Sequence, residues 1–144
     1  MLIQHILDSK PHSSVLTISK NVTIKDAIED LSAHRIGALV VSEDGTTVEG
    51  IISERDIIRV IGQRGISCLS ESVADNMTSD ITSCVKSDTA EEALQLMTDG
   101  RFRHLPVVED GVMVGLISIG DVVKARLAEI ENEKSAMVDM IRGY

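Results

Sequence analysis

Aromatic residues are almost missing from this chain: Phe102 and Tyr144 are the only two in 144 residues, and tryptophan is absent. A surface that holds single-stranded nucleic acid by stacking bases on aromatic rings is hard to build from that supply. Basic residues are scarce too, with 14 Lys and Arg against 23 Asp and Glu, and a net charge of −9 opposes the phosphate neutralisation on which sequence-independent nucleic-acid binding depends. No nucleic-acid partner is expected. Apolar runs are short, none approaching the ~20 residues needed to cross a bilayer. The amino terminus shows no signal-peptide pattern, so no membrane association is expected and the expected location is cytoplasmic. Only two cysteines are present, Cys68 and Cys84, at no metal-like spacing. They are expected to be reduced thiols, and Cys84, between Ile81 and Val85, to be a small core residue.

Catalytic signatures are absent as well. Nucleophilic catalysis needs a Ser or Cys beside a poised His that a third group orients. None of the four histidines sits in such a context. Pairs of the His-x3-His or Cys-x2-Cys kind do not occur, nor do Gly-x-Gly-x-x-Gly or Gly-x4-Gly-Lys-Ser/Thr. An enzyme is not expected, and neither is a catalytic cofactor or a bound metal.

What the chain does have is a repeated turn. Gly50-Ile51-Ile52-Ser53-Glu54-Arg55-Asp56 returns as Gly115-Leu116-Ile117-Ser118-Ile119-Gly120-Asp121. Further upstream, Ala27-Ile28, Arg35 and Leu39 return as Ala93-Leu94, Arg101 and Leu105, at an offset one residue longer. The second copy has therefore lost one residue, at its tight Asp110-Gly111 turn. A duplicated unit of about 60 residues is longer than the solenoid and propeller periods. With 43% apolar and 26% charged residues the chain is ordinary globular material, and its length suits one compact domain in which the two halves share a core.

The elements follow from periodicity. Leu2 to Leu7 is an apolar stripe of one or two helical turns, stopped by Lys10-Pro11. Val15 to Ile18 reads as a strand. Thr23 to Ala33 is a capped amphipathic helix with Ile24, Ala27, Ile28 and Leu31 on one face. Ala38 to Val41 is a strand apolar on both faces, hence central, and Asp44-Gly45 turns the chain into a strand from Val48 to Ile52. A helix from Ser53 to about Ile61 stops at Gly62 or Gly65. The polar linker 63–80 holds a short helix around Val73 to Met77. The second half repeats the order: a strand from Ile81 to Val85, a helix capped by Thr89 with Ala93, Leu94 and Met97 inward, a strand at Leu105 to Val108 whose Pro106 argues for an edge or an end, and a strand from Val112 to Ile117. The last helix, free of Gly and Pro from Val122 to Arg142, carries Val123, Leu127, Ile130, Met137 and Ile141 as an apolar seam. That seam covers its own domain or the amino-terminal stripe, or else a second subunit. The fold class is α+β, with repeats at 6–62 and 81–128, the linker between them, and a helical extension at 129–144.

Ser-x-x-Asp before an apolar run is a capping box in shape. It has a second use, because a first-turn carboxylate with a hydroxyl three residues before it can accept both hydroxyls of a ribose, while amide donors at the helix start suit a phosphate. The densest basic patch, Arg101-Phe102-Arg103-His104, lies just before the strand beside the second turn, and His34-Arg35 holds the equivalent place in the first half.

Two β-α-β-β-α units, each closed by Gly-h-h-Ser-x-x-Asp where h is apolar, resemble a pair of CBS domains, the module named after cystathionine β-synthase. The likeness covers roughly Ile6 to Ala128. It is nearest to free-standing bacterial pairs through Ile36-Gly37-Ala38-Leu39-Val40-Val41, Ile52-Ser53-Glu54-Arg55-Asp56 and Arg101-Phe102-Arg103-His104-Leu105-Pro106-Val107. The resemblance implies repeats packed about a pseudo-two-fold axis, a homodimer, and adenosine compounds bound in two clefts that each borrow from both halves. In one cleft Asp121 would hold the ribose, Ser118 the ribose or phosphate, Leu116, Ile36, Leu16 and Thr17 the adenine, and Arg103 and His104 the phosphates. In the other, Asp56 and Ser53 take the same roles, with Ile51, Phe102, Thr82 and Ser83 around the base. Phe102 is equally well read as plain core packing.

The copies differ where Gly37-Ala38 stands in place of Arg103-His104, with Arg55 as a partial replacement of charge. The sites are therefore expected to be inequivalent, the second better suited to a phosphorylated ligand. The function expected is that of a non-catalytic regulatory sensor of an adenine nucleotide, whether AMP, ATP, NAD(H) or S-adenosylmethionine, acting on a regulated protein through its dimer or last helix. The alternative is an interaction scaffold with vestigial clefts.

Overall fold

The computed structural model describes residues 1–10 and 15–143; Pro11, expected to stop the first helix, lies outside them. The chain forms two compact units, one of Ser14–Ile81 with the hairpin tip Asp110–Val114, the other of Met1–Ser13, Thr82–Glu109 and Gly115–Tyr144.

In the first of these, strands β1 (Thr17–Ile18), β2 (Ala38–Val41) and β3 (Gly50–Ser53) form one sheet in that order, β1 parallel and β3 antiparallel to β2. β2 is buried along its whole length, as its unbroken apolar run requires of a central strand. Its register places Thr17 and Ile51 on either side of Val40. Side chains alternate across a sheet, so Ile18, Leu39, Val41 and Ile52 face the other way. They pack with Ile24, Ala27 and Leu31 of helix α2 (Ile24–His34), with Ile57 of α3 (Glu54–Arg64) and with Val73 of α4 (Val73–Asn76). One face of the sheet thus builds the core, and the other carries Thr17, Ile51 and Ser53.

One boundary differs from expectation, and of two expected helix stops the second is used. β3 starts at Gly50 because Asp44 gathers the preceding loop: its carboxylate accepts the amides of Thr46 and Thr47 and both neighbouring hydroxyls, of Ser42 and Thr47. These bonds hold its carboxyl well below the usual range. α3 continues through Gly62 and stops at Gly65, whose φ of 73° is costly for any residue with a Cβ. A 3-10 turn, Gly65–Ser70, follows in what reads as a plain linker.

The other unit carries α5 (Ala90–Gly100), strand β4 (His104–Glu109), strand β5 (Val112–Ser118) from Gly115 onward, and α6 (Ile119–Arg142), with α1 (Ile3–Ser9) at the amino terminus. Asp110 and Gly111 both take positive φ, 51° and 79°, as a two-residue type I′ hairpin demands. The strand expected at Ile81 to Val85 shrinks to a single parallel bridge, Cys84 to Val107. Cys84 N–H donates to Pro106 O, and Val108 N–H donates to Cys84 O. Extending the ladder toward Thr82 would need an amide proton on residue 106, and proline has none.

The duplication reaches further than the sequence comparison found. Val73 and Ala74 N–H donate to Val22 and Lys20 O in one unit; Ile3 and Gln4 N–H donate to Asp88 and Lys86 O in the other. The bridges Thr23 to Ser72 and Leu2 to Thr89 correspond in the same way. Helix α1 therefore stands to the second repeat as α4 stands to the first. Glycines repeat the pattern, since a Cβ at Gly50 would strike the Met77 side chain and one at Gly115 the Leu7 side chain, both at 2.6 Å.

The seam of α6 is left uncovered by the described residues. Val122 and Ala125 are its buried positions, whereas Leu127 is 59% and Ile141 83% exposed, with Val123, Ile130 and Met137 also exposed. Packing of that seam on its own domain is thus overturned.

Candidate functional site

Each Ser-x-x-Asp turn closes as a reciprocal capping box. Ser53 and Ser118, in extended conformation at the ends of β3 and β5, accept the Asp56 and Asp121 amides on their hydroxyls at 3.3 and 3.1 Å. The carboxylates return the bond to the serine amides through Oδ2 at 2.9 and 2.8 Å. The first helical amide is fixed too: Glu54 N–H donates to Gly37 O and Ile119 N–H to Arg103 O. That last bond is what sets Arg103 and His104 beside the second turn. The capping reading of the motif is therefore correct, and what separates the two turns is the chemistry left over after capping.

At the first turn nothing is left over. The Ser53 hydroxyl donates to Asp56 Oδ2 at 3.0 Å, and Oδ1 accepts from Arg59 Nη2 at 3.2 Å and from Thr78 Oγ1 at 3.4 Å. Asp56 is 7% exposed. Thr78 is itself locked by a backbone bridge, its N–H to Ile51 O at 2.8 Å and its O accepting Ile51 N–H at 2.9 Å.

At the second turn the carboxylate side chain is 26% exposed and meets an ammonium instead. Lys10 Nζ donates to Asp121 Oδ2 at 3.0 Å and to Leu116 O at 2.8 Å. Among the described residues, Asp121 Oδ1 accepts no hydrogen bond, while the Ser118 hydroxyl lies against the same carboxylate and helps to hold it ionised. Partial burial opposes ionisation of Asp121, but the Ser118 amide and Lys10 outweigh it and hold the carboxyl below its ordinary value.

The remaining candidate residues are distributed as follows. Leu16 is exposed and lies just before β1, Thr17 and Ile51 share the sheet face opposite the core, and Ile36 packs at the margin of the core. Arg55 and Arg103 are exposed, as are Thr82 and Ser83, which lie outside any strand. Phe102 is half-buried, its ring over Gly100 so closely that a Cβ there would collide with it. Cys68 and Cys84 are free and buried. Burial, with Asp88 and Glu109 nearby, pushes the Cys84 thiol up to about 12. Among the described residues no group of three or more His, Cys, Asp or Glu is gathered to hold a metal, and no helix is long and apolar enough to cross a membrane.

Sequence reasoning missed Lys10, Thr78 and Arg59. The first two end segments related by an offset different from that of the main repeat, so matching the Ser-x-x-Asp turns does not align them. The usable signal was the shared apolar spacing of Ile3 with Leu7 and Val73 with Met77.

The chain has clear relatives. The CBS-domain family model matches residues 5–63 and 71–128. A CBS-domain-containing protein of Agrobacterium tumefaciens superposes with a TM-score of 0.84 at 41% identity, over 88% of this chain and 99% of that one. A mitochondrial CBS domain-containing protein of Arabidopsis thaliana is 38% identical over 148 residues, 98% of this chain and 72% of the relative. A CBS-domain protein of Pyrobaculum aerophilum, solved in complex with AMP, superposes with a TM-score of 0.72 at 26% identity, over 84% of this chain and 89% of that one. This chain belongs to the CBS-domain family and carries the domain twice.

Proposed function

We infer that the chain is a non-catalytic regulatory module that binds an adenine nucleotide, with the turn Gly115–Asp121 as its principal ribose site. The observation that carries this reading is the unspent acceptor at that turn, Asp121 Oδ1, part-exposed beside the Ser118 hydroxyl at the start of a helix. A ribose diol offers the complementary donors and acceptors, and the helix start favours a nearby phosphate. Arg103 and His104 flank the turn and supply the phosphate side. The AMP complex of the Pyrobaculum aerophilum relative supports an adenosine ligand. Asp56 and Ser53, whose bonding capacity is taken by their own unit, make the first turn the weaker site.

Output runs through a homodimer. The apolar seam of α6, exposed over Leu127, Ile130, Met137, Met140 and Ile141, is a face for a second copy of the chain, since like seams bury like on a two-fold axis. Sedimentation of the wild type and of Leu127→Glu checks this: a dimer that dissociates in the variant is expected, and a monomeric wild type contradicts it. Cytoplasmic residence belongs to the same reading, consistent with two unpaired cysteines.

The nucleotide reading is tested by thermal shift with AMP, ADP, ATP, NAD, NADH and S-adenosylmethionine. A ligand at about 100 times its Kd stabilises the folded state by about 2.7 kcal/mol. A rise in Tm with one of these compounds, lost in Asp121→Ala, is expected; no rise with any of them contradicts the reading.

A further inference from the structure

The two turns answer one strand carbonyl in different ways. In the first repeat Ile51 O accepts the Thr78 backbone N–H, part of a two-bond bridge that no ligand can displace without unzipping the chain. In the second repeat the equivalent carbonyl, Leu116 O, accepts a side-chain ammonium, Lys10 Nζ. α4 ends at Asn76 and releases an extended backbone at Thr78, whereas α1 runs on to Ser9 and bonds its own C-terminal amide, Lys10 N–H, to Leu7 O. Among the described residues no backbone amide reaches Leu116 O, and the Lys10 side chain does. The same ammonium reaches Asp121, as the Thr78 hydroxyl reaches Asp56. A fixed neutral group in one repeat is thus replaced by a movable charged one in the other.

We propose that Lys10 is the ligand-selecting residue of the Gly115–Asp121 turn: its ammonium holds Asp121 and Leu116 O and yields them only to a ligand that offers an anion in exchange. This rests on the nucleotide reading and narrows it to 5′-phosphorylated nucleosides over neutral ones. One ribose hydroxyl finds Asp121 Oδ1 open, but the second hydroxyl of the diol competes with Nζ for Oδ2, and a base amino group at Leu116 O competes for the same lone pairs. A neutral nucleoside must therefore break an ion pair with nothing to replace it. A nucleotide brings its own phosphate, and the lysine side chain, with three donors on a flexible four-carbon stem, can turn from the carboxylate to that phosphate. Part-burial of the contact makes the exchange matter, because a half-desolvated ammonium is costly to leave alone.

The test is isothermal titration of the full chain with AMP and with adenosine, in wild type, Lys10→Met and Lys10→Arg, each shown to be folded by circular dichroism. Lys10→Gln replaces the Met variant if that one fails to fold. Wild type is expected to prefer AMP by about tenfold or more, the equivalent of at least ~1.4 kcal/mol. In Lys10→Met that preference shrinks to a few-fold, because adenosine tightens while AMP weakens, and Lys10→Arg retains it. An unchanged AMP-to-adenosine ratio in Lys10→Met, with both still binding, overturns the selector role and leaves the nucleotide reading standing. Failure of the wild type to bind either compound overturns the selector role, and the nucleotide reading falls with it only when the remaining compounds of the thermal-shift panel also give no rise in Tm.

Discussion

Two turns of one motif, Ser53 to Asp56 and Ser118 to Asp121, cap their helices identically and differ in what capping leaves behind. Asp56 is sealed by Ser53, Arg59 and Thr78, all neighbours in its own unit. Asp121 keeps one oxygen unengaged among the described residues and shares the other with a lysine. A duplicated motif thus need not leave duplicated chemistry: the first carboxylate is engaged on both oxygens within its own unit, and the second keeps one oxygen open among the described residues.

The sharpest way to break this contrast is to remove each carboxylate in turn. Asp56→Ala loses a cap, about 0.5–2 kcal/mol, and the part-buried hydrogen bonds from Ser53, Arg59 and Thr78, about 1–2 kcal/mol more. Urea unfolding is expected to show a loss of roughly 2–4 kcal/mol, against about 1 kcal/mol for Asp121→Ala, where only the cap and a half-exposed ion pair go. Equal losses would erase the contrast. The paired glycines sharpen it next. A Cβ at Gly50 meets the Thr78 carbonyl at 2.9 Å as well as Met77, whereas at Gly115 the obstacle is the flexible end of Leu7. Gly50→Ala should cost about 2–3 kcal/mol and Gly115→Ala about 1 kcal/mol or less. A larger cost at Gly115 would mean that α1 is the more rigidly held helix.

The smallest expected effect is electrostatic. Asp121 titrates below its ordinary value of 3.8, so its contribution to stability is in place above that pH and fades as pH falls through the lower folded-state value. Lys10→Met should raise the Asp121 pKa, read from its carboxyl carbon by NMR, and flatten the acid limb of the stability curve. No movement of that resonance would remove Lys10 from the account of the turn.

How much of this was legible beforehand depends on whether it was written in local pattern. The capping residues Thr23, Ser53, Thr89 and Ser118, the buried run Ala38 to Val41 and the Asp110-Gly111 hairpin are short-range chemistry, and each is where periodicity put it. The strand at Ile81 to Val85 was over-read because its apolar ends look like a strand, while the limit on its ladder is a proline 22 residues away. At the candidate site, the aspartates and serines could be read from spacing, but their inequivalence could not. It comes from Lys10 and Thr78, which approach from helices whose register relative to the turns no single offset reveals.

The most direct measurement is an amide NMR titration of the folded chain with AMP. Large shifts at Leu116 to Asp121, with Ile51 to Asp56 moving little, are the result predicted. Shifts centred on Ile51 to Asp56, or equal at both turns, would contradict the assignment of the second turn as the working ligand site.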